Sequence, residues 1–149
     1  RLDLIASTFG ELERAAQRTL SLCWPGARLR IDRTSLTKDG RVREESRVLV
    51  ALPGESEFHP AARLNRGMLR RLDLSLRLGR RAILAARSPS GRLPIPYLAI
   101  DEALDGIDEQ GLTGCAAALL EEARSSLVVV VSHDDKVIRG IPYTNRVQL

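Results

Sequence analysis

The chain has no GxxxxGK[ST] segment, the glycine-rich loop whose backbone N–H groups cradle nucleotide phosphates. The stretches Gly79-Arg80-Arg81 and Ser90-Gly91-Arg92 contain glycine without that form. Cysteine occurs only at Cys23 and Cys115, which excludes a disulfide framework and a multi-cysteine zinc site. The two thiols read as buried and free, as in an intracellular protein. Only five side chains are aromatic (Phe9, Trp24, Phe58, Tyr97, Tyr143), too few for a platform that stacks single-stranded bases. No apolar run approaches the roughly 18 residues of a membrane-spanning helix, and Arg1-Leu2-Asp3 does not open a signal peptide. The chain does not start with Met, and the expectation is a segment of a longer protein. Lysine is also scarce. Of 23 basic residues only Lys38 and Lys136 are lysine, leaving 21 arginines. A GC-rich coding genome is one source of that bias. The net charge of +4 and pI near 9.7 suit nucleic acid or nucleotide phosphates as partners, without specifying either.

What is present is an ordinary core-forming composition, 44% apolar over 149 residues, enough for one domain. Leu2, Ile5, Phe9, Leu12, Ala16 and Leu20 recur at spacings of three and four and predict a helix over 2–22. Glu11, Glu13, Arg14 and Arg18 fall on its other face, and Trp24-Pro25-Gly26 stops it. The near-heptad spacing fits either the base of a coiled coil or a helix packed on a sheet. Trp24 reads as a core plug. Residues 27–53 predict a β-hairpin with Lys38-Asp39-Gly40 as its turn. His59 reads as a loop residue. Arg41, Arg43 and Arg47 read as a solvated face. Residues 65–84 predict a helix apolar on two sides, as if sandwiched between layers. Arg87 to Pro94 reads as a loop. Two solid apolar runs, Tyr97–Ile100 and Leu127–Val131, flank a helix near 112–124. That order predicts a parallel βαβ unit with buried strands, hence an α/β fold.

Each strand ends in groups that handle protons. The first runs into Asp101 and Glu102, and Asp108 follows six residues after Glu102. The second ends in Ser132-His133-Asp134. In P-loop NTPases the first acid at a strand end helps hold magnesium, and a second residue orients the attacking water. Adjacent residues of an extended strand face opposite ways, which would separate the two tasks. Acids at a helix N-terminus and a surface histidine beside a Ser132 helix cap are the plainer readings of the same residues.

The run Ile100-Asp101-Glu102-Ala103-Leu104-Asp105-Gly106-Ile107-Asp108 resembles the Walker B strand and D-loop of ABC-type ATPase heads in the SMC and SbcC-like DNA-repair family, with Ile107 where Leu is usual. Val128–Val131 followed by Ser132-His133 resembles that family's H-loop. Leu64-Asn65-Arg66-Gly67-Met68 stands where its Leu-Ser-Gly-Gly-Glu signature should open a helix, and keeps only the first Leu and one Gly. The likeness spans roughly Ala27 to Tyr143.

The resemblance implies the C-terminal lobe of a P-loop NTPase head: 1–24 the helix at a coiled-coil base, 25–149 the lobe, with an antiparallel hairpin beside the parallel βαβ core. It implies ATP and Mg2+ between two heads, with hydrolysis coupled to DNA repair, recombination or DNA-end processing. Asp101 would hold Mg2+, Glu102 the attacking water and His133 the γ-phosphate. Asp108 would contact the other head across the dimer, and Asn65, Arg66 and Gly67 would face the partner's nucleotide. The implied partners are an N-terminal Walker A lobe, a second head (in a homodimer), DNA and a nuclease subunit, with no membrane, at an intracellular, nucleoid-associated location. The alternative is a degenerate, non-hydrolysing lobe that binds DNA or scaffolds a dimer. The altered signature motivates it.

Overall fold

The structure, a computed structural model, describes residues 2–36, 42–93 and 95–147. Helix α1 runs Leu2–Cys23. Ala15, Ala16, Leu20 and Cys23 form its buried stripe, at the spacing of one helix face. Trp24 packs beneath its end as expected, bonded from its N–H to the Leu20 carbonyl at 2.7 Å. The opposite face is less solvated than the sequence suggests. Glu13 accepts the N–H of Ile31 at 2.7 Å, and Gln17 accepts the N–H of Leu29 at 2.6 Å while donating to the Ala27 carbonyl at 3.0 Å. These groups belong to an edge strand, so α1 supplies the hydrogen bonds a further strand would make.

That strand is β1 (Arg28–Leu36), paired antiparallel with β2 (Val42–Ala51) as the hairpin reading requires. The proposed turn Lys38-Asp39-Gly40, Arg41 and the side chain of Arg43 lie outside the described residues. His59 departs from expectation. With Pro60 it forms the short strand β3 on the free edge of β2, opposite Val50, and its Nε2 lies 3.3 Å from Glu55.

Helix α2 (Arg66–Arg87) extends three residues past the predicted end. Its two apolar sides serve two cores, as a sandwiched helix should. Leu72 joins Ala16, Leu20, Trp24, Leu29 and Val50, whereas Leu74 and Leu78 join Leu98, Ile100, Leu104 and Leu119. Leu69, one turn before Leu72, is exposed. At the crossing of α1 and α2 the two backbones nearly touch. A β-carbon added at Gly79 would sit 2.6 Å from the Ala16 nitrogen.

Strands β4 (Tyr97–Asp101) and β5 (Leu127–Val131) pair in parallel, Tyr97 opposite Leu127 through Asp101 opposite Val131, with α3 (Glu109–Glu122) between them. Helix α3 begins before Leu112 because Asp108 caps it. Arg81 of α2 ties the unit together, donating to Glu122, Ser126 and the Tyr97 carbonyl at 2.8–2.9 Å. A short helix α4 (Asp135–Gly140) follows β5 and buries Val137.

The strands are not buried on both faces, contrary to the reading of their solid apolar pattern. Leu98 and Ile100 face the core, with Val128 and Val130 packed against it. Tyr97, Leu127 and Val131 face outward at 46%, 64% and 48% exposure. The apolar residues that a two-sided sheet needs are present, and this chain covers one side only. No helix among the described residues is long and apolar enough to cross a membrane.

The helix crossing yields a test. Gly79→Ala should lower the unfolding free energy by about 1–3 kcal/mol, the range for overpacking, in urea denaturation. Gly10→Ala, whose new methyl would meet only the end of Arg14 at 3.7 Å, should leave it unchanged or slightly raised.

Candidate functional site

Asp101, the last residue of β4, is exposed at the strand tip. Glu102 does not continue the strand, as the alternation argument assumed. Its φ is +49°, a left-handed conformation that costs a non-glycine residue energy. Its N–H still donates to the Val131 carbonyl at 2.8 Å, which holds the two strand tips together beyond the sheet. The side chains then converge. Glu102 Oε1 lies 3.0 Å from His133 Nδ1, and Asp105 Oδ2 lies 3.6 Å from the same nitrogen. Ser132 Oγ donates to Asp105 Oδ1 at 2.6 Å and accepts the Asp134 N–H at 3.0 Å. Asp134, not Ser132, caps α4 by accepting the Lys136 N–H, a bond that draws its carboxyl below the ordinary aspartate range.

One donor atom each from Glu102, Asp105 and His133 lies within 4.8 Å of the others. A magnesium ion takes oxygen ligands and keeps several waters. The carboxylates of Glu102 and Asp105 offer that chemistry beside a histidine nitrogen, and Asp101, where the ion was expected, is exposed at the adjacent strand tip and is not a member of this group.

The other predicted residues gather at a groove of about 660 Å³ between the end of α1, the start of α2 and the turn before α3. Asn65, Arg66, Gly67 and Asp108 all line it. Asn65 caps α2 through Oδ1, which accepts the Met68 N–H at 2.9 Å. Arg66 and Gly67 open the helix, whose first turn carries no acid. The backbone N–H groups at such an end attract anions. Asp108 caps α3, its Oδ1 accepting the Gly111 N–H at 2.8 Å, while Oδ2 pairs with Arg71. The Gly111 N–H, with Arg71 adding its charge, holds the Asp108 carboxyl below its ordinary value.

The two groups of residues meet through the turn 102–108. Arg70 donates to the Asp105 carbonyl. A β-carbon on Gly67 would fall 2.9 Å from the Gly106 carbonyl oxygen, so the start of α2 and the turn are in backbone contact.

Sequence reasoning missed Asp105 and Arg71. Asp105 sits within the acidic run already singled out, and its carboxylate density was the available signal. Arg71 is buried, lies over the Trp24 ring at 5.8 Å, and has a buried Nε with no hydrogen-bond partner. Its signal was a small and polar stripe, Arg71, Ser75 and Gly79 at four-residue steps, running along a leucine-rich helix.

No family model and no curated protein matches the chain. Solved structures do. One, from a study of ATP-driven dimerization and DNA-stimulated activation of SMC ATPases, aligns at TM-score 0.70 and 14% identity over 94% of this chain and 78% of its own. The Smc head of Pyrococcus furiosus with an extended coiled coil, bound to the C-terminal domain of ScpA, aligns at TM-score 0.66 and 15% identity. It covers 93% of this chain, which spans 32% of that one. The SMC head domain of Thermotoga maritima aligns at 0.58 and 18%, covering 93% of this chain and 43% of its own length. The chain therefore has the mixed α/β fold of the C-terminal region of an SMC head, with its antiparallel hairpin, parallel strand pair and N-terminal helix.

Two substitutions separate the roles of Asp108. Asp108→Ala removes cap and charge and should cost about 0.5–2 kcal/mol at neutral pH. Asp108→Asn keeps a capping oxygen and loses only the charge. A carboxyl whose folded pKa is lowered stabilises above its unfolded value, here 3.8, and loses that contribution as pH falls through the folded one. The stability advantage of wild type over Asp108→Asn should therefore shrink below about pH 4 in acid denaturation curves.

Proposed function

We propose that the chain is the C-terminal lobe of an SMC- or SbcC-like ATPase head, residues 1–24 forming the base of a coiled-coil arm and 25–149 the lobe. The observation that carries this reading is the convergence of Glu102, Asp105 and His133 at the tips of two adjacent parallel strands whose other face lies bare. A nucleotide site of the P-loop type needs a glycine-rich phosphate loop, and this chain has no GxxxxGK[ST] segment. An N-terminal Walker A lobe that covers Tyr97, Leu127 and Val131 would supply that loop at the same edge.

In the completed head Asp101 would hold Mg2+, and the ion would neutralise phosphate charge. Glu102 orients the attacking water, and His133 hydrogen-bonds the γ-phosphate through Nε2. The start of α2 faces the nucleotide of a second, identical head. There Asn65 offers its amide N–H groups, since its oxygen is engaged in the cap, and Arg66 and Gly67 offer charge and close backbone approach. Asp108 lies on the rim of that groove for contact across the dimer. Closure and release of the heads act on DNA, a partner that the net charge of +4 favours, in repair, recombination or end processing. Alone, the chain does not hydrolyse ATP.

A second reading, a non-hydrolysing lobe that scaffolds a dimer or binds DNA, draws on the groove. Asp108 is already committed to Arg71 and α3, and Met68 replaces the acid of the usual signature.

Glu102→Gln in the complete head distinguishes the two. The enzyme reading expects turnover to fall by about 10²–10⁴-fold, the usual contribution of a positioned base, with ATP-bound dimers accumulating on size-exclusion chromatography. Unchanged turnover and no trapped dimer would leave the scaffold.

A further inference from the structure

The two cysteines of the chain lie together in the core where the end of α1 crosses α3. Cys23 is the last residue of α1, and Cys115 lies within α3. Gly114 lets the helices meet. A β-carbon there would fall 2.9 Å from the Cys23 Cα, and Cys23 Sγ lies 4.0 Å from the Gly114 carbonyl oxygen. The Cys115 S–H is directed to the Cys23 sulfur. Both thiols are free and buried, yet they are not equivalent. Cys23 lines the groove of about 660 Å³ together with Met68 and Arg71, and Cys115 lies behind it. Arg71 brings positive charge to the pair, and its buried Nε has no hydrogen-bond partner. The S–H received from Cys115, helped by Ser75 and Arg71, draws the Cys23 thiol below its ordinary value against the effect of burial. Giving that S–H, with burial, holds Cys115 well above its own. Reactive cysteines occupy electropositive surroundings of this kind, often next to a second thiol that resolves the oxidised one.

We propose that Cys23 and Cys115 are a peroxide-sensitive dithiol, a modification site at the back of the groove whose oxidised form is a disulfide joining the end of α1 to α3. Hydrogen peroxide is the oxidant, small enough to enter the groove and reach Cys23. The Cys23 thiolate attacks one peroxide oxygen. An S–O bond forms, the O–O bond breaks, and the departing hydroxide takes a proton from solvent and leaves as water. The Cys115 sulfur then attacks the Cys23 sulfenic sulfur. The S–S bond forms, the S–O bond breaks, and the hydroxyl leaves with the Cys115 proton as a second water. Two electrons pass from the sulfurs to the peroxide. The bridge fixes the end of α1 against the helix that Asp108 caps, beside the Arg71–Asp108 pair. Neither sulfur has a part in the nucleotide reading, and the proposal is independent of it.

The chain has one methionine, Met68, and it lines the same groove, so its sulfoxide reports that peroxide has reached the site. The full 149-residue chain is treated with hydrogen peroxide under native conditions, alkylated and mapped by mass spectrometry. Both free thiols should be lost together, with a Cys23–Cys115 disulfide, no dimer on a non-reducing gel, and full return of the thiols with dithiothreitol. Cys115→Ala should stop at a sulfenic acid on Cys23, captured by dimedone. Cys23→Ala should keep an unreactive Cys115 thiol. Oxidation through unfolding would instead make the two single variants react alike. Equal reactivity of those variants, a bridge between chains, or two free thiols in a chain whose Met68 is already the sulfoxide overturns the proposal.

Discussion

The turn from Glu102 to Asp108 is held by α2, and both halves of the candidate site depend on that grip. Arg70 fixes the Asp105 carbonyl, Arg71 pairs with Asp108, and Gly67 lets the start of the helix press against Gly106. The strand-tip acids and the α2 groove share this segment. A shift at the α2 N-terminus therefore moves the backbone that presents Asp105 to His133. Burial of Arg71 under Trp24, against Gly111, makes the connection stiff. A charged group taken out of water tolerates little displacement from its carboxylate partner.

The second constraint is what the chain leaves uncovered. Leu98 and Ile100 anchor one face of the β4–β5 pair, and Tyr97, Leu127 and Val131 leave the other in water. Burying such residues is worth roughly 1.5–3 kcal/mol each when complete. Association with a covering layer has that driving force available before any nucleotide binds. In the proposed reading, the same geometry accounts for acids and a histidine of a nucleotide site on a chain with no GxxxxGK[ST] segment. The edge that carries Glu102, Asp105 and His133 lies at the boundary of the uncovered face, where the proposed second lobe would meet it.

Much of the fold was legible in the sequence because it is written in periodicity. The three long helices, the hairpin and the parallel βαβ unit followed from three-to-four spacing, alternation and solid apolar runs. The solid runs misled on burial, because a pattern reports what a strand is built to face and not what the same chain supplies. Glu13 looked like a solvent-facing helix residue, and only the neighbouring edge strand reveals it, with Gln17, as its hydrogen-bond acceptor. At the site, Glu102 and His133 were found from motif spacing and are in contact. Asp105 was passed over because its value comes from Ser132, 27 positions away, and no local pattern encodes that distance. Arg71 was hidden for a related reason: an arginine on a small and polar helix stripe reads as surface until its carboxylate partner is known.

The central claim is that these residues complete a nucleotide site and do not constitute one. Calorimetric titration of ATP with Mg2+ into the chain alone, and into the chain mixed with a Walker A lobe from the same protein, tests it most directly. The account predicts no saturable binding by the chain alone and magnesium-dependent binding by the mixture, weakened by Asp101→Asn. Saturable binding by the isolated chain, or none by a mixture shown to associate, would contradict it.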